Sequence, residues 1–258
     1  MLSSREEMLG DRRGLIVDFD SIIYLSSFKY ADNPDAELMY MDCFKRVSTI
    51  ESEVWKRYKL GDIVYAITTD TNWRYKVYTD YKANRIKKDK KQQALSDCVE
   101  EVKRLLCERL GNSIIKVNTE VEADEICIDY SFNKNYIVAC MDSDVYKSSR
   151  TNVFNYHKKN WCWLEPNSIE DIYRYILITA MTGKSKENLK GIKGTGIVTA
   201  TKFVDSRPSL QAYVDKFSSP DDCLLQVQLV SQIQYMNGEL VKHTMADIGK
   251  MLVSIFKF

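Results

Sequence analysis

The sequence predicts an α/β fold in which helices flank a central, mostly parallel sheet. Short apolar, β-branched runs alternate with longer stretches of helical periodicity, and four of these runs are almost continuously apolar. Strands of that kind are covered on both faces, as in parallel sheets. The chain of 258 residues, 45% of them hydrophobic, is long enough to bury a substantial core.

The predicted elements follow in chain order. The four parallel strands are GLIVDF (14–19), DIVYAITT (62–69), SIIKVN (113–118) and NYIVAC (135–140). A hairpin is predicted from NVFNYH (152–157) and WCWLE (161–165), joined through KKN. Helices are predicted around residues 21–30, 36–59, 92–110, 122–132 and 168–182. The pattern becomes mainly helical after residue 166, so we expect an α/β part over 1–165 and a helical part over 166–258.

Composition excludes several classes of protein. Seven cysteines without a CxxC pair indicate free thiols in a reducing compartment, and two histidines offer little for a structural zinc site. No run approaches the roughly 18 apolar residues of a membrane span, and the polar start MLSSREEMLGDRRG lacks the apolar core of a signal peptide. We therefore expect a cytoplasmic protein with no membrane partner, and we expect a monomer.

Acidic residues follow all four predicted parallel strands. They are Asp18, Asp70, Asp142 and Asp144 after three of the strands, and Glu122, Asp124 and Glu125 after the fourth. The carboxyl ends of parallel strands share one edge of the sheet, so we expect these acids to converge. Crowded carboxylates raise one another's pKa unless a cation relieves the repulsion. Mg²⁺ or Mn²⁺, which prefer oxygen ligands, would relieve it.

Each acid taken alone has a simpler explanation. An Asp after a strand is more often a turn residue or a helix N-cap, and the helix dipole stabilises an acid in a first turn by about 0.3–1 kcal/mol. In TEVEADEICIDY (119–130), apolar residues at i, i+3, i+4 and i+7 predict a helix with its acids in that first turn. The repetition at four strand ends favours the metal site.

Two basic runs lie apart from the acids. YKANRIKKDKK (81–91) holds six Lys or Arg against one Asp, and GKSKENLKGIK (183–193) holds four Lys against one Glu. A solvated helix face is the commoner origin of one such run. Together with an acidic cluster, however, basic patches suit a polyanion that is cut with the help of metal ions. Two ions about 3.5–4 Å apart can supply a hydroxide nucleophile and stabilise the leaving oxygen of a phosphodiester.

Five motifs, in this order, resemble the 5′ nuclease family. They are VDFDSIIY, TTDTNWRYKVYTDYKANR, VEADE, MDSDVY and GIKGTGIVTATKF, spread over residues 14–204. The family includes flap endonucleases and phage 5′–3′ exonucleases, and TNWR and YKANR are most similar to the phage T7-type exonucleases. The resemblance implies a PIN-like nuclease core, a basic arch near 81–110, and a helix-hairpin-helix near 183–204 that grips duplex DNA.

The resemblance also implies roles for single residues. The implied ligands of two magnesium or manganese ions are Asp18, Asp70, Glu122, Asp124, Glu125, Asp142, Asp144 and Glu187. Catalytic roles are implied for Asp70, Lys82 and Arg85. The implied DNA contacts are Tyr24, Arg74, Lys82, Arg85, Lys87, Lys88, Gly191, Lys193, Gly194 and Gly196. For Arg74 a structural ion pair is an equal alternative, and for Tyr24, implied to stack on a terminal base, core packing is the commoner case.

The chain departs from the family pattern at TGKSKENLKGIKGTG. The family resembles G-D-x-x-D-N there, whereas this chain has Lys184 and Glu187 in place of the two Asp. Glu187 could still bind a metal ion, but an ammonium has only hydrogen-bond donors and repels a cation. Three roles for Lys184 stay open: it weakens the second metal site, it contacts the scissile phosphate, or it neutralises the crevice in place of a metal.

The expected function is a Mg-dependent 5′–3′ exonuclease or flap endonuclease. As the resemblance implies, it would cut duplex or flap DNA at 5′ ends, and RNA primers in RNA–DNA hybrids, during phage replication or recombination in the host cytoplasm. The main alternative is a catalytically impaired DNA-binding protein of the same fold, for which Lys184 is the reason. A PIN-like RNA endonuclease is a third, and the predicted helix-hairpin-helix argues against it.

Overall fold

The structure is a computed structural model that describes residues 13–68, 72–84, 90–111, 115–118, 120–133, 135–157 and 161–255. A six-stranded sheet has the order β3-β2-β1-β4-β5-β6. Its strands are β1 (Arg13–Asp18), β2 (Leu60–Thr68), β3 (Ile115–Asn118), β4 (Tyr136–Cys140), β5 (Val153–Asn155) and β6 (Cys162–Leu164). All neighbouring pairs are parallel except β5 and β6, which are antiparallel. The predicted fold class is confirmed.

Helices cover both faces of this sheet. Those of the α/β part are α1 (Phe19–Ser27), α2 (Ala36–Trp55), α3 (Trp73–Val77), α4 (Lys90–Leu110), α5 (Ala123–Asn133) and α6 (Ser143–Ser148). Those that follow are α7 (Ile169–Thr182), α8 (Ile197–Asp205), α9 (Leu210–Val214), α10 (Pro220–Val230) and α11 (Met245–Ser254), with a small hairpin of β7 (Tyr235–Met236) and β8 (Glu239–Leu240). No helix among the described residues is both long and apolar enough to traverse a bilayer.

Several helices begin at the acids that end the strands. Asp18 is the N-cap of α1 and accepts a hydrogen bond from the Ser21 backbone N–H at 3.3 Å. Asp142 is the N-cap of α6 and accepts from the Asp144 N–H at 2.7 Å. The simpler explanation for these two acids therefore holds as well, because each satisfies a free N–H of a first helical turn.

Alternation along β1 divides the core between the two faces of the sheet. Ile16 belongs to the cluster formed with α5, α7, α10 and α11, whereas Leu15 and Val17 belong to the cluster under α1, α2 and α4. The stripe predicted for residues 123–130 is buried in the first cluster, where it contains Ala123, Ile126, Cys127 and Tyr130. That cluster includes residues on both sides of 165, so the core is continuous across the proposed boundary. The division of the chain there stays a prediction.

Candidate metal and DNA site

Three carboxylates come together at the carboxyl edge of the sheet. Asp18 ends β1, Asp142 follows β4, and Asp124 lies in the first turn of α5. Loss of water raises the pKa of Asp124 well above its ordinary value, and the charges of Asp18 and Asp142 raise it further. Loss of water, followed by the charge of Asp20, raises the pKa of Asp18 to about 7. We call Asp18, Asp124 and Asp142 the carboxylate cluster.

Asp142 differs from the other two members in its exposure. Its side chain is exposed, yet loss of solvation raises its pKa, with Asp144 adding to the effect and Lys184 opposing it. The cluster is therefore open to solvent on one side and closed by β1 and α5 on the other. Ionised oxygens in such a crevice repel one another, and a cation would relieve that repulsion.

Glu122 lies beside the cluster and pairs with Lys82. The Lys82 Nζ is 2.5 Å from Glu122 Oε1, and Asn72 Nδ2 donates to the same oxygen at 3.0 Å. Tyr81 OH donates to Glu122 Oε2 at 3.3 Å. The Lys82 backbone N–H donates to the Glu187 carbonyl at 2.9 Å, which fixes the turn at residues 78–84 against the loop after α7. Lys82 thus lies beside the carboxylate cluster with its ammonium paired to Glu122.

Arg74 and Glu125 correct two predictions. Both side chains are 0% exposed, and Arg74 donates through Nη1 to Glu125 Oε2 at 2.7 Å and through Nη2 to Oε1 at 3.1 Å. Arg74 also donates to the carbonyls of Leu229 and Ser231 at 3.0 and 2.9 Å. The predicted phosphate contact of Arg74 is wrong because its donors are used inside the core, and the structural ion pair is correct.

The same pairing removes Glu125 from the predicted metal ligands. Besides the two bonds from Arg74, Trp73 Nε1 donates to Glu125 Oε1 at 3.3 Å and the Glu122 N–H donates to Oε2 at 3.1 Å. Four donors around a fully buried carboxylate leave it no free direction toward a solvent-facing ion. Glu125 therefore holds the first turn of α5 and the Glu122 backbone in place.

Lys184 lies between Asp144 and Glu187, and we call these three residues the lysine corner. The Lys184 Nζ is 2.7 Å from Asp144 Oδ2 and 3.7 Å from Glu187 Oε2. Tyr175 OH donates to the other oxygen of Asp144. Burial works against the ionised form of Asp144, but Lys184, Tyr175 and Lys147 together outweigh it and lower the pKa of that carboxyl. Of the three roles left open for Lys184, neutralising the crevice matches this position.

The predicted DNA-gripping turn lies between α7 and α8. Gly191 and Gly194 have φ of 59° and 79°, and Gly196 is the N-cap of α8 without a side-chain hydrogen bond. Lys193 and Gly194 are exposed at its tip. The Ile192 N–H donates to the Met181 carbonyl at 2.8 Å, so the turn is closed against the end of α7. Two helices joined through an exposed, glycine-rich turn have the form expected of a helix-hairpin-helix.

Tyr24 is 59% exposed, which makes the core alternative wrong for it. Its ring packs edge-to-face on that of Phe28, with centroids 4.8 Å apart. Its stacking on a base stays a prediction. Four residues with predicted roles lie outside the described residues: Asp70, Arg85, Lys87 and Lys88.

The carboxylate cluster and the lysine corner differ in how well their donors suit a hard divalent cation. Within the described ranges, no three Asp, Glu, His or Cys side chains are already arranged around a common metal position. The carboxylate cluster still fits such an ion in donor chemistry, since its oxygens are crowded and mutually repelling. The lysine corner does not fit, because an ammonium already lies between its two carboxylates.

Sequence reasoning did not find several residues of the site. Tyr81 and Asn72 bind Glu122, Tyr175 binds Asp144, and Lys103 Nζ is 3.6 Å from Asp20 and donates to the Thr68 carbonyl at 2.9 Å. Only Asn72 carried a signal, since it precedes the short helix α3 as an N-cap residue would. Lys103 and Tyr175 lie within the long helices α4 and α7, where nothing in the sequence separates them from other polar residues of a helix, and Tyr81 lies in a turn, where its burial could not be foreseen.

Comparisons with known proteins show the fold. No protein-family model matches the chain, and no curated protein matches it. Among solved structures, bacteriophage T5 D15 protein co-crystallised with metal ions aligns with a TM-score of 0.65 at 15% identity, over 95% of this chain and 99% of that one. A T5 D15 flap endonuclease variant in a pseudo-enzyme–product complex with DNA and metal ions aligns at 0.62 and 15%, with the same coverage.

A second protein supports the same assignment. The catalytic core of Rad2 in complex with DNA substrate aligns with a TM-score of 0.52 at 16% identity, over 97% of this chain and 94% of that one. The chain therefore has the PIN-like fold of the 5′ nucleases. The predicted resemblance is confirmed at the level of the fold, which extends over nearly the whole chain.

Proposed function

We propose that this protein is a divalent-metal-dependent 5′–3′ exonuclease or flap endonuclease. It would hydrolyse phosphodiester bonds at the 5′ ends of duplex or flap DNA, and of RNA primers in RNA–DNA hybrids, in phage DNA replication or recombination. The carboxylate cluster carries this proposal. Oxygen donors crowded at the carboxyl edge of a parallel sheet, next to Lys82 and two basic runs, suit metal-assisted cleavage of a polyanion.

Each part of the site has a defined task under this proposal. Asp18, Asp124 and Asp142 would hold the cation, which supplies a hydroxide nucleophile near neutral pH when bound. Lys82 would place its ammonium against the scissile phosphate, exchanging its contact with Glu122 for one with DNA. The turn at 191–196, with Lys193 at its tip, would bind the duplex backbone without sequence preference.

The structural neighbours agree with the two ligands of the proposal. The T5 D15 structures were obtained with metal ions, one of them also with DNA, and the Rad2 core with DNA substrate. The sequence identity is 15–16%, so metal and DNA binding are properties of those proteins. They support metal and DNA as the first ligands to test on this chain.

A cleavage assay tests the proposal. The full chain is incubated with 5′-labelled duplex, flap and RNA–DNA hybrid substrates in Mg²⁺, Mn²⁺ or EDTA. We expect product only with metal, and a loss of at least about 100-fold in Asp124→Asn, because that carboxylate is central to the cluster. Asp62→Asn is the matched control, since Asp62 is exposed near the opposite, amino end of β2. Equal cleavage by wild type in Mg²⁺ and in EDTA would refute metal dependence.

The alternative is a DNA-binding protein that has lost catalysis. The lysine corner favours it, since Lys184 occupies a place where the family pattern supplies a carboxylate. The same samples decide between the two. Tight binding of flap DNA with no product in any metal would establish the alternative.

A further inference from the structure

Lys184 is enclosed by carboxylates rather than exposed on the loop that carries it. Its side chain is 11% exposed, with Nζ 2.7 Å from Asp144 Oδ2 and 3.7 Å from Glu187 Oε2. Those carboxylates are themselves only 18% and 14% exposed. One ammonium thus lies between two acids that would otherwise face each other in a crevice of low dielectric.

The backbone of Lys184 is fixed on both sides. Its N–H donates to the Leu189 carbonyl at 2.8 Å, and the Leu189 N–H donates back to the Lys184 carbonyl at 3.0 Å. The Glu187 N–H donates to the same carbonyl at 3.0 Å. The loop is also bound to the arch, because Asn188 Nδ2 donates to the Asp80 carbonyl at 2.8 Å. The ammonium is therefore delivered to Asp144 by a closed loop of defined shape.

From this geometry we infer that Lys184 is a built-in cation that replaces a divalent ion at the lysine corner. The ammonium neutralises Asp144 and Glu187, offers no lone pair as a ligand, and repels any dication that approaches the same oxygens. Ions are then confined to the carboxylate cluster. The inference rests on the proposed function only in treating that cluster as a metal site.

The inference predicts the number of ions that the protein binds. In Lys184→Asp, a third carboxylate would join Asp144 and Glu187, so the lysine corner would gain an ion that the wild type lacks. Lys184→Met would remove the ammonium and free the two acids without adding a ligand, so it would gain a weaker site. Neither change touches Asp18, Asp124 or Asp142.

The test is the stoichiometry of Mn²⁺ bound by the full chain without DNA. Titration calorimetry measures it, and electron paramagnetic resonance counts the free ion independently. We expect one more ion in Lys184→Asp than in wild type, a weaker extra site in Lys184→Met, and no change in Lys190→Asp. Lys190 is exposed on the same loop, so that control carries the same change of charge.

Two failures are distinguishable. If wild type already binds as many ions as Lys184→Asp, and circular dichroism shows that the variant is folded, the built-in cation is refuted while the metal-dependent nuclease stands. If wild type binds no Mn²⁺ and Asp124→Asn cleaves DNA as fast as wild type, the proposed metal site itself fails, and the inference fails with it. If Lys184→Asp does not fold, the number of Mn²⁺ ions bound by Lys184→Met takes its place: an extra weak site supports the built-in cation, and the same number as in wild type refutes it.

Discussion

Arg74 and Glu125 form an ion pair with 2.7 Å between Nη1 and Oε2, and neither side chain is exposed to solvent. The two residues lie 51 positions apart, on α3 and α5, and Arg74 also donates to the carbonyls of Leu229 and Ser231 at the carboxyl end of α10. The pair therefore joins the α/β part of the chain to the helices that follow. Its importance is structural, and it can be measured without DNA or metal.

We predict that Arg74→Met lowers the free energy of unfolding by about 3–5 kcal/mol, because it leaves the Glu125 carboxylate buried without a partner. The double variant Arg74→Met, Glu125→Leu should recover much of that loss, since no uncompensated charge remains. Urea denaturation followed by circular dichroism measures both. Arg104→Met is the control, because the Arg104 ion pairs are exposed and contribute little. A single variant as stable as wild type would contradict the buried pairing.

The carboxylate cluster predicts that stability without metal falls as the pH rises. The folded-state pKa of Asp18 is raised from 3.8 to about 7, so between these values the folded state binds more protons than the unfolded state. This stability is present at low pH and is lost as the pH rises through 7, on the order of 4 kcal/mol for Asp18. Thermal denaturation in EDTA at several pH values measures it.

Asp124→Asn supplies the comparison for that experiment. Removing its charge should stabilise the protein in EDTA at pH 8 and flatten the pH dependence, because Asp124 and Asp18 repel each other. Mg²⁺ should raise the melting temperature of wild type at pH 8 and leave the variant unchanged. An Asp124→Asn variant with the same pH dependence as wild type in EDTA would count against the crowding of these acids.

Gly191 and Gly194 should respond differently to Ala. A Cβ at Gly191 would lie 2.4 Å from the Gly183 backbone N and 2.5 Å from the Thr182 carbonyl carbon, whereas one at Gly194 would meet nothing within 4 Å. Both positions carry positive φ, which costs a residue with a Cβ roughly 1–2 kcal/mol. We therefore expect Gly191→Ala to cost about 2–4 kcal/mol and Gly194→Ala about 1. The midpoints of urea denaturation measure both losses of stability. Equal losses would show that Gly191 does not approach the backbone of Thr182 and Gly183 closely.

His243 predicts a second pH effect, in acid. Burial lowers its pKa from 6.5 to about 4, and its Nε2 lies 2.8 Å from Ser231 Oγ. Between these pH values the unfolded chain binds a proton that the folded protein excludes, so the contribution of His243 to stability falls as the pH falls from 6.5 to 4, by at most about 3 kcal/mol. His243→Gln should reduce this acid loss in urea titrations. His157→Gln, at an exposed position, should leave it unchanged.

The sheet could be predicted from the sequence because its strands are buried on both faces and therefore read as continuous apolar runs. β4 begins at Tyr136 and ends at Cys140, within one residue of the predicted 135–140. The end of α2 was placed too late, at 59 instead of Trp55, since WKRYK carries no stop signal before Gly61. The helices α3 and α6 were missed because five and six residues are too few to show a helical period.

The site was only partly predictable, because tertiary contacts decide which of its charged side chains lie at the sheet edge and which lie in the core. Asp124 and Glu125 are neighbours in sequence, yet one lies among the carboxylates at the sheet edge and the other is bound to Arg74 in the core. No pattern in VEADE separates them. Lys184 was identified as a departure from the family pattern, but its distance to Asp144 could come only from the fold.

Two segments near the candidate site, residues 78–84 and the turn at 191–196, also have a common support. Residues 78–84 are bound to the loop after α7 by the Lys82 N–H on the Glu187 carbonyl and by Asn188 Nδ2 on the Asp80 carbonyl. A duplex bound by the turn at 191–196 would therefore meet residues 78–84 in a position that these hydrogen bonds fix. Under the proposed function, this fixed spacing would set how many nucleotides separate the bound backbone from the bond that is cut.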